Sequence, residues 1–251
     1  MTPVLLCLHG WGGSKESFEE LRAALDNEDI LILTPDLPGF GAEPEPDRPW
    51  SVDDYADWVE DWIQKTLRPT PYALSPLLLL GHSHGGRIAI KLASRQTTRN
   101  EQRSTINARF EHLYLCAAAG VRHRSLKRSV GRVLADIGHA LFAIPGLSRL
   151  EPYAKKMLYK ILREHDYERA SPVMQKTFAK VTEEDLTPIL SAITIPTDLF
   201  WGEDDTYTPV KDGFTMHTAI RGSVLHTFAG TRHRVHRDRA LEIASVIRNH
   251  L

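Results

Sequence analysis

Cysteine is scarce in this chain, since Cys7 and Cys116 are the only two among 251 residues. So few cysteines exclude a small scaffold held together by disulfide bonds. Both lie in apolar runs typical of buried β-strands, and we therefore expect two buried thiols and no disulfide. Reduced thiols of this kind are usual in the cytoplasm, so we expect a cytoplasmic protein.

Long apolar stretches are also lacking. No segment is apolar over the roughly 20 residues that a membrane-spanning helix needs. The chain starts Met1-Thr2-Pro3-Val4, without a basic segment that leads into an apolar one, and this predicts that there is no signal peptide. The sequence thus argues against insertion into a membrane.

A strong excess of either charge is absent as well, because the formal net charge is −1 at pH 7. Repeats, low-complexity tracts and basic motifs interleaved with aromatic residues are missing too, which argues against a nucleic-acid partner. The charges are nevertheless unevenly spread. Residues 1–60 hold three basic and fourteen acidic side chains, whereas residues 120–170 hold eleven basic and five acidic ones. An anionic partner and two oppositely charged faces both fit this asymmetry.

The sequence does contain a regular alternation of short apolar runs and amphipathic stretches. The predicted strands cover residues 4–8, 30–33, 77–80, 113–117, 197–201 and 224–228. The predicted helices cover residues 14–25, a stretch that begins at Ser51, and residues 85–96, 208–219 and 236–250. We expect the second strand to be buried and Leu241 to lie on the apolar face of the last helix. Such alternation predicts an α/β fold with a mostly parallel sheet, covered by helices on both faces.

The alternation stops between Val121 and Ile193, where helical periodicity continues without strands. Apolar residues recur at three- and four-residue steps from Leu126 to Leu141, and further helical patterns follow at 151–163 and 171–180. We interpret residues 121–190 as a helical cap, or lid, inserted into an α/β core of residues 1–120 and 191–251.

The third predicted strand leads into Gly81-His82-Ser83-His84-Gly85-Gly86. Glycines two residues on either side of Ser83 let the chain turn sharply from strand to helix and leave the hydroxyl exposed, the pattern of a nucleophile elbow. Open α/β sheets place their chemistry at this kind of position, directly after the carboxyl end of a strand. A short motif of common residues is weak by itself, so the chain must also supply a base, an acid and an oxyanion hole.

Two later strand ends supply the acid and the base. Trp201-Gly202-Glu203-Asp204-Asp205 follows the fifth predicted strand, and Gly230-Thr231-Arg232-His233 follows the sixth. A serine hydroxyl becomes a good nucleophile when a neighbouring imidazole takes its proton. A carboxylate in turn holds that imidazole in the useful tautomer. The chain order serine, acid, histidine is the order that the α/β-hydrolase fold uses.

With these motifs the chain resembles the α/β-hydrolase superfamily over nearly its whole length. Residues 9–13 (His-Gly-Trp-Gly-Gly) are similar to its oxyanion loop, and residues 36–41 match the loop after the next strand. The resemblance implies Ser83 as nucleophile, His233 as base and Asp205 as acid. It also implies that the backbone amides of Trp11 and His84 form the oxyanion hole.

The chain departs from the family pattern at two places. The first catalytic loop follows Met1 almost at once, so we expect the family's leading β-hairpin to be absent. Arg232 stands where the family often has a small residue, which would narrow the site. A serine nucleophile in place of aspartate argues against haloalkane dehalogenase or epoxide hydrolase chemistry.

Several residues compete for roles in the site. His236 is an alternative to His233, and Asp204 an alternative to Asp205, although the family spacing favours His233 and Asp205. We assign His9, Phe40 and His236 to the substrate pocket, while His9 can equally serve to order its own loop. His82 and His84 flank the serine, but two histidines without further ligands are poor evidence for a metal, so we expect no metal and no cofactor.

The function predicted from these residues is that of a serine hydrolase, which cleaves an ester, thioester or similar acyl bond of a small molecule. Cleavage of a C–C bond in a carboxylated β-diketone, by hydrolysis or a lyase step, is an alternative. A ligand-binding protein without catalysis and a membrane-associated lipase are two others. The basic residues of the predicted cap either attract an anionic substrate or form a solvated face: Arg122, Arg124, Lys127, Arg128 and Arg132.

Overall fold

Six strands form one sheet in the computed structural model, which describes residues 1–67, 69–98, 110–122 and 170–251. The strands are β1 (Val4–Leu8), β2 (Leu31–Leu33), β3 (Leu77–His82), β4 (Phe110–Cys116), β5 (Thr197–Gly202) and β6 (Val224–Phe228). Their order in the sheet is β2-β1-β3-β4-β5-β6, and every neighbouring pair is parallel. The predicted mostly parallel sheet is confirmed.

Helices connect and cover these strands. They are α1 (Glu19–Ala24), α2 (Val52–Leu67), α3 (His84–Thr98), α4 (Pro172–Glu183), α5 (Val210–Ala219), α6 (Val235–Asp238) and α7 (Ala240–Arg248). Two short 3-10 helices cover Lys15–Phe18 and Thr187–Ala192. No helix among these described residues is long and apolar enough to cross a membrane.

The neighbouring strands β1 and β3 both lie inside the sheet, and all their residues are buried. Strands that are covered by helices on both faces read as continuous apolar runs, and this explains the four leucines that begin β3. Cys7 in β1 and Cys116 in β4 are buried free thiols, so the prediction of two unpaired cysteines is confirmed. The carboxyl ends of β1 and β3, where two of the predicted catalytic loops begin, therefore lie next to each other inside the sheet.

Two expectations about burial are wrong. Residues 30–33 were expected to form a buried strand, but β2 lies at one edge of the sheet and its three residues are only half-buried. Leu241 was expected on the buried face of the last helix, but it is 71% exposed. The closing helix is divided into α6 and α7 at Arg239, and within α7 the buried residues recur at three- and four-residue steps as Ala240, Ile243, Ala244 and Ile247, so Leu241 lies off that face.

The predicted cap is described in part. Its last helix, predicted at 171–180, is observed as α4, with the Ser171 hydroxyl accepting a hydrogen bond from the Met174 amide at the helix start. The helical patterns at 126–141 and 151–163 lie outside the described residues, as do Arg124, Lys127, Arg128 and Arg132. The division into core and cap therefore stays a prediction.

Candidate active site

Ser83 occupies the turn between β3 and α3. Its backbone has a φ of 51°, a left-handed conformation that is uncommon for a residue with a side chain. The Ser83 amide donates to the Cys116 carbonyl over 3.2 Å, and the Ser83 carbonyl accepts from the Ala119 amide over 3.0 Å. The end of β4 thus fixes the strained turn, as is common where strain serves a functional site.

The glycines around Ser83 are required by close backbone contacts. A Cβ atom on Gly85 would collide with the Leu8 carbonyl oxygen, and one on Gly81 would lie 2.6 Å from the Gly85 carbonyl oxygen. A Cβ atom on Gly10 would lie 3.2 Å from the Cβ of Ser83. The absence of these side chains lets α3 start against the end of β1, and brings the loop after β1 next to the serine.

His233 lies within hydrogen-bond distance of both Ser83 and Asp205. Its Nε2 atom is 3.1 Å from the Ser83 Oγ, and its Nδ1 atom is 2.8 Å from an Asp205 carboxylate oxygen. The three side chains come from the loops after β3, β5 and β6. The structure thus brings together the three residues that the sequence assigned to nucleophile, base and acid.

The Asp205 side chain is fully buried and is held ionised by hydrogen bonds. Burial alone would raise its pKa, but the hydrogen bond and charge of His233, with donors at Thr208 and Tyr207, bring the pKa below the ordinary value. The Tyr207 and Thr208 amides donate to one carboxylate oxygen over 2.8 and 3.0 Å. Its rival, Asp204, is exposed to solvent.

Thr208 is a site residue that the sequence analysis missed. Its hydroxyl lies 2.8 Å from the Asp205 oxygen that faces His233, 3.3 Å from the His233 Nδ1 and 3.1 Å from the Ala117 carbonyl oxygen. The sequence signal was present but ambiguous, because threonine followed by Pro209 reads as the start of a helix. Its position three residues after the predicted acid could have indicated the contact.

The two backbone amides that the sequence predicts for an oxyanion hole belong to the start of α3 and to the loop after β1. His84 is the first residue of α3, and the first four amides of a helix have no partner within it. Trp11 is the second residue of a tight turn that the Gly13 amide closes on the Gly10 carbonyl over 3.0 Å, so the turn leaves the Trp11 amide unused. With Gly10 packed against Ser83, both amides belong to segments that border the serine.

The His84 side chain is buried and makes no hydrogen bond within the described residues. Its ring instead makes edge contacts with Trp11 and Tyr55, at centroid distances of 5.4 and 4.8 Å. Burial, followed by the charge of Arg87, lowers the pKa of His84 to about 3. The ring is therefore neutral at physiological pH.

The three residues assigned to the substrate pocket occupy different environments. His9 is fully buried, and both ring nitrogens are engaged, one with the Gly10 carbonyl and one as acceptor from the Leu37 amide. It therefore fixes two loops and has no nitrogen left for a substrate. His236 is also buried and stacks on His82 at 3.8 Å, behind His233. Phe40 is half-exposed and is the one of the three with ring surface available to a substrate.

Helix α4 brings another aromatic ring to this region. Phe178 packs against Trp11 at a centroid distance of 5.0 Å, and Phe40 lies against the same indole at 4.9 Å. The buried Thr177 hydroxyl accepts a hydrogen bond from the Trp50 amide over 3.0 Å and ties α4 to the core. The end of the predicted cap thus contributes to an aromatic wall beside the predicted oxyanion loop.

Comparison with known proteins supports this description. Residues 5–246 match the profile of the alpha/beta hydrolase family, and the chain belongs to that family. It is 25% identical over 262 residues to the AB hydrolase superfamily protein YisY of Bacillus subtilis, covering 97% of this chain and 89% of that one. It is 26% identical over 246 residues to a pimeloyl-(acyl-carrier protein) methyl ester esterase of Neisseria meningitidis, covering 96% and 91%.

The structure is also similar to that of a lipase-esterase related protein from Clostridium acetobutylicum. The TM-score is 0.68 at 21% sequence identity, with 100% of this chain and 95% of that chain covered. The α/β-hydrolase fold expected from the sequence is thereby confirmed. The expectation of an enzyme is supported by the esterase among the relatives.

Proposed function

We propose that the protein is a serine hydrolase that cleaves an ester or similar acyl bond of a small molecule through an acyl-enzyme on Ser83. The observation that carries this proposal is the continuous chain of hydrogen bonds from Ser83 through His233 to Asp205. The esterase activity in the name of the Neisseria relative supports an ester as the substrate class.

In the first half of the reaction, Ser83 Oγ attacks the acyl carbonyl carbon while His233 Nε2 accepts the hydroxyl proton. Asp205 stabilises the imidazolium that forms, and its buried carboxylate needs no reorganisation to do so. The amides of Trp11 and His84 donate hydrogen bonds to the oxyanion of the tetrahedral intermediate. His233 then returns the proton to the leaving alcohol, which departs and leaves the acyl group on Ser83.

In the second half, a water molecule takes the place of the alcohol. His233 removes a proton from this water, whose oxygen attacks the acyl carbonyl, and the same two amides hold the second oxyanion. The bond to Ser83 Oγ breaks and the serine recovers its proton from His233. The carboxylic acid is released and the enzyme is regenerated.

The test compares Ser83→Ala with the parent protein on p-nitrophenyl esters and with a fluorophosphonate probe. We expect kcat to fall by roughly 10³-fold or more and the covalent adduct to disappear. Ser94→Ala, further along α3, is the matched control and should keep both signals. An undiminished rate in Ser83→Ala would overturn the proposal, and a parent protein without an adduct would favour a binding protein.

The substrate class is tested by an acyl-chain-length series of esters, assayed beside a carboxylated β-diketone. We expect turnover of the esters and little cleavage of the diketone, and the reverse preference would identify a C–C bond hydrolase. Vesicles or detergent micelles added to the same assay distinguish a lipase, because our proposal expects no rise in rate at an interface.

We also propose that the enzyme has no nucleic-acid partner, on the support of its near-neutral net charge and its lack of basic motifs interleaved with aromatic residues. We further propose that it works in the cytoplasm, on the support of its two unpaired buried cysteines. Cell fractionation with an antibody against the chain tests this location. Recovery in a membrane or extracytoplasmic fraction would contradict it.

A further inference from the structure

A second cluster of titratable side chains lies on the sheet, separate from the serine. It consists of His112 in β4, Asp198 in β5, His226 in β6 and His250 just after α7. Tyr114 is in register with Asp198, and Phe200 with His226. Because side chains two residues apart point to the same face of a strand, His112, Asp198 and His226 share one face of the sheet.

The three imidazoles lie around the Asp198 carboxylate. One carboxylate oxygen lies 2.7 Å from the His112 Nε2, and the other lies 2.6 Å from the His226 Nε2. The His250 ring lies beside His112 at a centroid distance of 3.9 Å. His112, Asp198 and His250 each offer one ligand atom, and these atoms all lie within 4.8 Å of one another.

Asp198 is a buried acid whose close partners are imidazoles. The residue is buried, and within the described part of the chain both carboxylate oxygens face imidazoles and make no ion pair with lysine or arginine. Buried carboxylates are generally paired with a cation or coordinate a metal. Imidazoles together with a carboxylate form a ligand set that suits zinc and its neighbours, whereas magnesium and calcium prefer oxygen ligands.

We propose that His112, Asp198 and His250 bind a divalent transition-metal ion, represented by zinc, while His226 holds the other carboxylate oxygen of Asp198 by a hydrogen bond. In a tetrahedral zinc site with bonds of about 2.0–2.2 Å, neighbouring ligand atoms lie about 3.4 Å apart. The His112–Asp198 contact of 2.7 Å must therefore open by about 0.7 Å, and the widest spacing in the set, at most 4.8 Å, must close by up to about 1.4 Å, changes within the reach of side-chain rotations.

The surroundings of His250 fit this role. The residue is exposed, so an ion can enter from solvent. Its Nδ1 atom lies 3.2 Å from the Tyr114 hydroxyl, which leaves the Nε2 atom for the metal. Ligating histidines commonly use their other ring nitrogen for a hydrogen bond of this kind, which fixes the ring orientation.

This site is expected to stabilise the fold and not to take part in ester hydrolysis. Asp198 lies near the amino end of β5, whereas Asp205 follows its carboxyl end. A bound ion would connect β4 and β5 to the chain after α7. The proposal is therefore independent of the catalytic role of Ser83.

The test uses the full-length protein after removal of metals, titrated with zinc in a calorimeter and in thermal unfolding. We expect one high-affinity zinc ion per chain and, at a zinc concentration about 100 times the Kd, a rise in Tm of about 5 °C. Calcium and magnesium should produce neither effect. Ester hydrolysis should be unchanged by zinc removal.

Two variants locate the ion. His250→Ala changes an exposed residue, and Asp198→Asn keeps the size of the buried one; each should weaken zinc binding at least about tenfold. His217→Ala, an exposed histidine on α5, is the control and should bind zinc as the parent does. The unfolding curves of both site variants without zinc show whether they are folded. The proposal is overturned if the stripped parent binds no zinc, or if both folded variants bind it with the parent's affinity.

Discussion

At the scale of single residues, Thr208 determines how Asp205 is held. A hydroxyl has one hydrogen to donate, and that of Thr208 faces both the Asp205 carboxylate and the Ala117 carbonyl. The same oxygen lies 3.3 Å from the His233 Nδ1. Thr208 therefore connects Asp205 and His233, the proposed acid and base, to the strand end that also supports Ser83.

We predict that Thr208→Val lowers kcat for p-nitrophenyl esters about tenfold with little change in KM. Valine keeps the shape of the side chain but removes a donor to a charged group, and such a bond contributes roughly 1.5–3 kcal/mol, part of which is lost in the transition state. Steady-state kinetics measure the effect. Thr208→Ser is the control, since a restored hydroxyl should recover most of kcat; if serine fails to do so, packing and not hydrogen bonding is responsible.

His84 gives a prediction about pH. Its pKa is lowered to about 3 in the folded protein, mainly by burial, against an ordinary value of 6.5. Between these two values the unfolded chain binds the proton and the folded chain does not. The free energy of unfolding therefore falls as the pH decreases below 6.5, by about 1.4 kcal/mol per pH unit from this residue.

We predict that His84→Phe removes this contribution. The variant keeps a ring between Trp11 and Tyr55, leaves the backbone amide in place and buries no unpaired nitrogen. Urea unfolding of parent and variant at several pH values between 7 and 4 should give a difference in stability that grows in favour of the variant as the pH falls. His217→Phe controls for the loss of a histidine at an exposed position. A constant difference across this range would contradict the prediction.

At the scale of helices and strands, the sequence pattern predicts whether a segment is a helix or a strand. It predicts less well where that element lies in the fold. The four leucines of β3 identify a central strand, because only a strand covered on both faces is apolar throughout. The short apolar run at 30–33 resembles these four leucines in sequence, yet β2 is an edge strand. Strand order depends on contacts between distant segments, and a single run of residues does not encode it.

The same limit explains why the sequence predicted the cluster around Ser83 but not the cluster around Asp198. Ser83, Asp205 and His233 each follow a strand in a recognisable glycine-containing loop, so the order of motifs sufficed to predict that these three side chains meet. Asp198 lies inside an apolar strand without such a loop. The sequence showed a charged residue there but gave no reason to connect it with His112, since the two meet only after β4 and β5 pair.

At the scale of the whole molecule, the parallel sheet is what assembles the site. His233 and Ser83 are 150 residues apart in the chain, yet both follow the carboxyl ends of parallel strands in one sheet. Sequence motifs supply the residue types and their order, while distances follow from the pairing of the six strands. The stability of the central strands is therefore a condition for the geometry of the site.

The reactivity of the two cysteines is a measure of how readily the inner strands of the sheet open. Cys7 in β1 is in register with Leu80, and Cys116 in β4 is in register with His82, so the thiols flank β3 on its two sides. Both are fully buried, and burial raises the pKa of both thiols. Aromatic disulfide reagents react with the thiolate form of cysteine. Here the reagent cannot reach either thiol, and neither thiol ionises, unless the sheet opens.

We predict that Ellman's reagent labels no cysteine rapidly in the native protein and two after denaturation in guanidinium. Slow native labelling should proceed at one common rate for both thiols, because β1 and β4 are joined through β3 and open together. Cys7→Ala and Cys116→Ala assign the signals, and the rate in each should rise with urea in parallel with global unfolding. A fast phase confined to one thiol would show instead that one side of β3 opens independently, and that the site is supported by two separately stable halves of the sheet.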